Sequence, residues 1–306
     1  MIKVILWGPC AEYDKFLKYF ECEILKNNMI IEAIVLNEEN LIRSIDGIEV
    51  IRIDELLVRS YDYLIDMNQV DQRFVIRILE LLNIPRSKVI PARVFGQPFF
   101  DLLRYIQVKE SRVSIIANTC WGGYTYNSLG LEFTSPFINM YMNADDYLKM
   151  LGNFRRYMEL PLHFIEEGYE PGLSRNFPVA GLDDIKLFLN HYTDFNSAAV
   201  IWNKRKSRIN YDNLFVEMAI NRQEDIDKFL GLPFKHKIGF TTFPCNEPDI
   251  LYFPITDNGY LQNKYPGGFG YFVNSIAMAV SNECKPYDIL KLLNHEEDYL
   301  RLSMYG

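Results

Sequence analysis

The stretch Ile2-Lys3-Val4-Ile5-Leu6-Trp7-Gly8-Pro9 decides the fold. It is an apolar run that ends in a glycine–proline turn, the pattern of a buried strand. Tyr13, Phe16, Leu17, Phe20 and Ile24 follow at helical spacing, so a helix with one apolar face comes next. Met29 to Leu36 reads as a second strand and Gly47 to Ile51 as a short third. Tyr61 to Ile65 reads as another, trailed by a helix carrying Phe74, Ile78 and Leu81 and stopped by Pro85. Val89-Ile90 reads as a last strand. Strands joined by helices in this order imply a parallel, doubly wound sheet in an α/β domain.

A helix-like stretch from Phe99 to Val108 leads to Lys109-Glu110-Ser111-Arg112, and the domain boundary is placed there, giving domains 1–110 and 111–306. The second is also expected to be α/β. Its strands are read at Val113–Ala117, Ile138–Tyr141, Leu162–Ile165, Ile185–Leu189, Leu214–Met218, His236–Phe240 and Leu251–Phe253. Asn143 is expected to cap a single helix whose apolar stripe is Tyr147, Leu151, Phe154 and Met158, ended by Pro161. Helices near 195–207 and 223–230 fall between the later strands.

The chain has 306 residues, enough for two domains of ordinary size. With 49% hydrophobic and 24% charged residues it is globular rather than disordered. Its net charge of -8 argues against sequence-independent nucleic-acid binding. Five cysteines, at 10, 22, 120, 245 and 284, are odd in number and widely spaced, which fits free thiols in a reducing compartment. His163, His236 and His295 have no partner at metal-ligand spacing, so neither a metal nor a cofactor is expected. The N-terminal apolar run is too short for a signal peptide, and no stretch reaches membrane-span length. The expected location is the cytoplasm.

A dinucleotide site wants Gly-x-Gly-x-x-Gly after the first strand. Here Gly8-Pro9-Cys10-Ala11-Glu12-Tyr13 keeps only the first glycine, and Cys10 and Tyr13 put side chains where phosphates would lie. Glu38 stands where a ribose partner would sit. The Gly8 turn, the Gly47 strand and Tyr61-Asp62-Tyr63 resemble Rossmann-like domains of sugar-modifying enzymes. That likeness implies a Rossmann-like fold for the first domain, and with the later glycines lost the domain is expected to keep the fold without binding NAD or NADP at the Gly8 turn.

Asn118-Thr119-Cys120-Trp121-Gly122-Gly123 follows a buried strand and precedes a helix-like run, where open α/β sheets bind ligands. Gly122 and Gly123 allow close backbone approach, and a helix start offers amides to an anion. Trp121 is a candidate to stack on a ring, Asn118 to hydrogen-bond, and Cys120 to carry a stabilised thiolate. The plainer alternative is a tight turn with Trp121 in the core and Cys120 inert. Residues Val113 to Phe133, with Ser135-Pro136 and Asn139, resemble a bacterial family of exopolysaccharide-biosynthesis proteins, a domain of unknown function. The likeness resumes at Pro178, Gly181, His191-Tyr192, Trp202 through Asn213 and Leu232-Pro233-Phe234-Lys235, so it spans roughly residues 111–245. It implies a role in capsule or polysaccharide assembly without fixing a reaction.

Lys204, Arg205, Lys206 and Arg208 crowd the end of a helix whose inner face is Phe195, Ala198, Ala199 and Trp202. They read either as cations complementing the helix terminus or as a diphosphate clamp, with Asn210 and Asn213 adding donors. His191 is a candidate general base. Asp225-Ile226-Asp227 matches a metal-binding Asp-x-Asp but falls in a helix's first turn, where acids are expected anyway. Tyr260, Tyr265, Phe269, Tyr271 and Phe272 surround the Pro266–Gly270 loop as either a sugar platform or core. The leading expectation is a transferase of polysaccharide assembly that takes a nucleotide-sugar or other phosphate-bearing small molecule. Arg205 and Arg208 would hold the diphosphate and His191 would act as base. The alternatives are a non-catalytic carbohydrate- or nucleotide-binding module and a Cys120–His191 hydrolase or acyltransferase.

Overall fold

The computed structural model describes residues 1–37, 42–68, 72–170, 175–253, 273 and 287–299. The chain divides into two compact units. The first holds residues 1–107 with 287–294 and 298–299, and the second holds 108–253, 273 and 295–297. The division falls between Gln107 and Val108, just before the charged Lys109–Arg112 stretch, and residues 287–294 and 298–299 return to the first unit.

In the first unit β1 (Ile2–Gly8), α1 (Cys10–Leu25), β2 (Met29–Leu36), β3 (Ser44–Ile45), β4 (Ile48–Ile51), β5 (Tyr63–Asp66), α2 (Gln72–Leu81) and β6 (Val89–Pro91) follow in chain order. The sheet order is β3-β4-β2-β1-β5-β6. All neighbours pair in parallel except β3, which runs antiparallel to β4. Ile5, Trp7, Ala33, Val35 and Leu64 pack on one face with Val75 and Leu79 of α2. The alternate residues Val4, Leu6, Ile34 and Ile65 are equally buried, so these strands are covered on both faces, as unbroken apolar runs require. The stripe of α2 is phased differently from expectation. Val75, Ile78, Leu79 and Leu82 meet the core at i, i+3, i+4 and i+7, while Phe74 and Leu81 are exposed.

α3 (Leu102–Ser111) leads into the second unit. There β7 (Ser114–Ala117), α4 (Trp121–Ser128), α5 (Ala144–Gly152), α6 (Phe154–Glu159), β8 (His163–Glu170), β9 (Arg175–Leu182), β10 (Ile185–Phe188), α7 (Phe195–Lys206), β11 (Leu214–Ala219), α8 (Asp225–Leu230), β12 (Lys237–Thr241) and β13 (Ile250–Tyr252) form two sheets. One is fully parallel, ordered β13-β12-β11-β7, and the other is antiparallel, ordered β10-β9-β8. A final short helix, α9 (Ile289–Leu293), belongs to the first unit.

Three expectations fail here for identifiable reasons. Residues 138–141 form no strand. Tyr141 makes a single antiparallel bridge to Phe188, and their rings stack at 4.7 Å. The expected single helix of 144–158 breaks at Asn153, whose φ of -144° and ψ of 50° are not helical, and Asn143 makes no side-chain cap. Strand β9 was hidden by Pro178 and Gly181, residues that argue against a strand in sequence. In the sheet they sit opposite Glu167 and His163.

Candidate active site

The loop after β7 is built by side chains that replace backbone rungs. Asn118 Oδ1 accepts from the Ala219 N–H at 2.9 Å, and its Nδ2 donates to the Ala219 carbonyl at 3.4 Å. The Asn118 carbonyl in turn accepts from the Met142 N–H at 3.0 Å. Thr119 Oγ1 accepts from the Trp121 N–H at 3.2 Å, occupying one of the amides a helix start leaves open. Cys120 stands immediately before α4, at the carboxyl end of a parallel strand, and the amides of Gly122 and Gly123 fall in the helix's first turn.

His191 arrives from the antiparallel sheet. It follows β10, whose end is fixed by the Tyr141–Phe188 bridge and by the Arg175 guanidinium donating to the Asn190 carbonyl. The neighbouring Tyr192 hydroxyl donates to the Ile138 carbonyl at 3.3 Å. Cys120 Sγ lies 3.9 Å from the Met140 carbonyl. Residues 138–142 therefore hold both segments, and they bring Cys120 Sγ to 3.5 Å from His191 Nε2 across 71 positions of sequence. His191 is exposed and Cys120 half-buried, so the pair is reachable from solvent. This is hydrogen-bond contact between a thiol and an imidazole.

The other candidates are placed differently. Trp121 is fully buried between Phe215 and Phe240, so its ring belongs to the core and offers no face to a ligand. Asn118 is buried and its amide is engaged by Ala219. Gly122 and Gly123 are bare so that α4 can approach its neighbours. A Cβ at Gly122 would lie 3.1 Å from Ile115 Cγ2, and one at Gly123 3.3 Å from Ile138 Cγ2.

The Arg205 guanidinium donates to the Tyr192 hydroxyl at 2.9 Å and lies over the Phe133 ring. Arg208 pairs with Glu132 at 3.2 Å. Both point back onto the 132–138 segment rather than forming an open fork. Burial pushes the Tyr192 phenol up, and Arg205 pulls it partly back. Asn210 and Asn213 tie the start of β11 to the end of α3 through the Ser111 carbonyl, and Asn210 N–H also donates to Ser114 Oγ at 2.9 Å. Asp225 is fully buried and bonded to Arg222 and Lys228, so it serves the fold of α8. At the Gly8 turn, a Cβ would meet Met67 Cβ at 2.8 Å, and Tyr13 is buried with its hydroxyl on Asp46. Glu38, Cys284 and the aromatics at 260, 265, 269, 271 and 272 lie outside the described residues.

Sequence reading missed one chemically unusual residue, Glu217. It is wholly buried in central strand β11, and neither carboxylate oxygen has a partner among the described residues. Burial holds its carboxyl far above the usual carboxylate range. Val216 and Met218 pack with Tyr147, so alternation puts Glu217 on the opposite face, with Phe215 and Trp121. The signal was a lone charge inside the apolar run Leu214-Phe215-Val216-Glu217-Met218-Ala219.

Comparison with known proteins matches residues 1–90 to the family described as C2185-like, N-terminal. A curated relative, an uncharacterized protein of Haemophilus influenzae, is 33% identical over 165 residues, which cover 52% of this chain and 77% of the relative. Residues 92–255, more than half of the chain and including both Cys120 and His191, match a family known only as a domain of unknown function. The chain belongs to that family, DUF1919.

Proposed function

We propose that the chain is a cysteine-dependent acyl-transfer enzyme, a hydrolase or acyltransferase, with Cys120 as nucleophile and His191 as general base. The observation that carries this reading is the 3.5 Å contact between Cys120 Sγ and His191 Nε2. In this reaction Sγ attacks the carbonyl carbon of an ester, thioester or amide, and His191 takes the thiol proton. The Gly122 and Gly123 amides, in the first turn of α4, would donate to the developing oxyanion. The C–O, C–S or C–N bond then breaks, His191 returns the proton to the leaving group, and a thioester remains on Cys120. Water or an acceptor hydroxyl releases the acyl group and restores the thiol.

The nucleotide-sugar transferase reading draws on Arg205 and Arg208, whose guanidiniums are held by Tyr192 and Glu132, and so has less support. The parallel strand order of the first unit supports a Rossmann-like description of its fold, and polysaccharide assembly as the setting rests on the resemblance over 111–245 alone.

Iodoacetamide labelling at pH 7 with peptide mapping tests the proposal. Cys120 should be modified before Cys22, which is the more exposed thiol. His191→Ala should slow labelling of Cys120 by roughly tenfold or more. p-Nitrophenyl acetate should give a stoichiometric burst that Cys120→Ser abolishes. Equal labelling of Cys120 in the wild type and the His191 variant would reject the pair.

A further inference from the structure

We infer that the first unit carries a separate binding site for a nucleoside diphosphate, in a cleft between the later turns of α1 and residues 93–100. The cavity measures about 810 Å3, within the range of small-molecule sites. Four cations line it: Lys15, Lys18, Lys26 and Arg93. The one carboxylate in its lining, Glu23, is buried and already bonded to Lys26 Nζ at 2.6 Å, Asn28 Nδ2 at 2.8 Å and the Leu102 N–H at 3.0 Å. Lys15 has Glu12 as partner at 3.3 Å, while Lys18 Nζ sits 4.8 Å above the Tyr19 ring. Lys15 and Lys26 are paired with Glu12 and Glu23, and the ammonium and guanidinium groups that line the cleft suit phosphate oxygens.

The second observation is aromatic. Phe20, Phe95 and Phe100 form a buried chain of ring contacts behind the cleft, at 5.1 and 4.6 Å between centroids. Tyr19 and Phe99 stand half-exposed in its wall. Phe99 adopts a φ of 59°, in the left-handed region that a bulky residue rarely enters and that marks sites where the surroundings impose a conformation. Inorganic phosphate alone would not need ring faces or fill this volume, whereas a nucleotide uses cations for its phosphates and aromatic faces for its base. The site uses α1 beyond the Gly8–Tyr13 turn, and it is independent of the Cys120–His191 proposal.

Calorimetry on the full chain with ADP, UDP and sodium pyrophosphate tests it. ADP or UDP should bind, with pyrophosphate at least about tenfold weaker, and Cys120→Ser should leave this unchanged. Lys18→Glu and Arg93→Glu, both at exposed positions, should each weaken nucleotide binding by roughly tenfold, and Lys18→Glu should do so without lowering the melting temperature. No binding of either nucleotide, binding indifferent to both charge reversals, or pyrophosphate binding as tightly as ADP would overturn the proposal.

Discussion

The amide of Asn118 grips both backbone groups of Ala219, accepting from its N–H and donating to its carbonyl. A side chain thereby continues the β7–β11 ladder for one rung after β7 has ended at Ala117. The backbone is released at that point to turn sharply into α4, and Cys120 is presented at the turn rather than buried in the strand. The polar residue that ends an apolar strand is thus satisfied inside the protein, and it sets the position of Cys120.

Asn118→Ala should therefore destabilise the second unit by about 1–3 kcal/mol, because it strands buried backbone groups of Ala219 without a partner. Asn118→Asp should recover little of this, since a carboxylate keeps the acceptor but sets a second acceptor against the Ala219 carbonyl. Urea unfolding of the three proteins measures the difference. Equal midpoints for the wild type and Asn118→Ala would remove the latch.

Much of this fold was legible because its strands are continuous apolar runs whose ends are marked. Met29–Leu36 is β2 to the residue, and Gly8-Pro9 marks the end of β1. What failed was set by tertiary context. Phe74 and Val75 are adjacent apolar residues, and only the packing of α2 on Ile5 and Leu64 decides which faces inward. Tyr141 pairs with a strand 47 positions later, a relationship no local period encodes. The site shows the same split. Cys120 and His191 could each be chosen from chemistry and from position at a strand end. The direction of the Arg205 guanidinium depended on Tyr192 and Phe133, which no helical spacing reveals.

Glu217 should be a net cost to stability at neutral pH. Its folded carboxyl titrates well above the ordinary value near 4.5, because burial disfavours the anion. A raised value means the folded state keeps a proton the unfolded chain loses. The stability linked to that proton is full below about pH 4.5 and declines as pH rises. Glu217→Met, which fills similar space without a charge, should stabilise the protein by about 1–3 kcal/mol at pH 8 and by less at pH 5. Urea titrations at the two pH values measure this. A gain that is the same at both would separate the effect from ionisation.

Gly8→Ala should destabilise the first unit by about 1–3 kcal/mol. The new Cβ would sit 2.8 Å from Met67 Cβ and 3.1 Å from the Met67 carbonyl carbon, at a φ of 157°. Backbone atoms of the strand-following segment would have to move, since Met67 N–H is bonded to the Trp7 carbonyl at 2.8 Å. The melting temperature of the variant, measured beside that of Gly47→Ala, separates crowding from backbone strain. Gly47 has a φ of 80° but open space around its Cβ position, so any loss there reflects strain alone. A Gly8→Ala protein as stable as the wild type would show that Met67 yields.

The stacked pair His236 and His295 should make the second unit sensitive to mild acid. Their rings lie 3.3 Å apart between centroids, and His295 Nε2 is 3.2 Å from Asn213 Oδ1. Burial, then the charge of His236, then that of Lys235 bring His295 down from the usual 6.5 to about 4. Burial and Lys235 lower His236 as well, with Asp249 opposing them. A lowered value means the folded protein refuses a proton that the unfolded chain accepts. The contribution is therefore complete above about pH 6.5 and is lost as pH falls toward 4. His295→Phe keeps a flat ring against His236 and Phe215 but cannot titrate, so its stability should fall less steeply between pH 6.5 and 4 than that of the wild type. Above pH 7 the two should differ only by packing and by the lost bond to Asn213. Urea midpoints across pH 4.5 to 7.5 measure the two slopes, and parallel slopes would show that His295 does not couple protonation to folding.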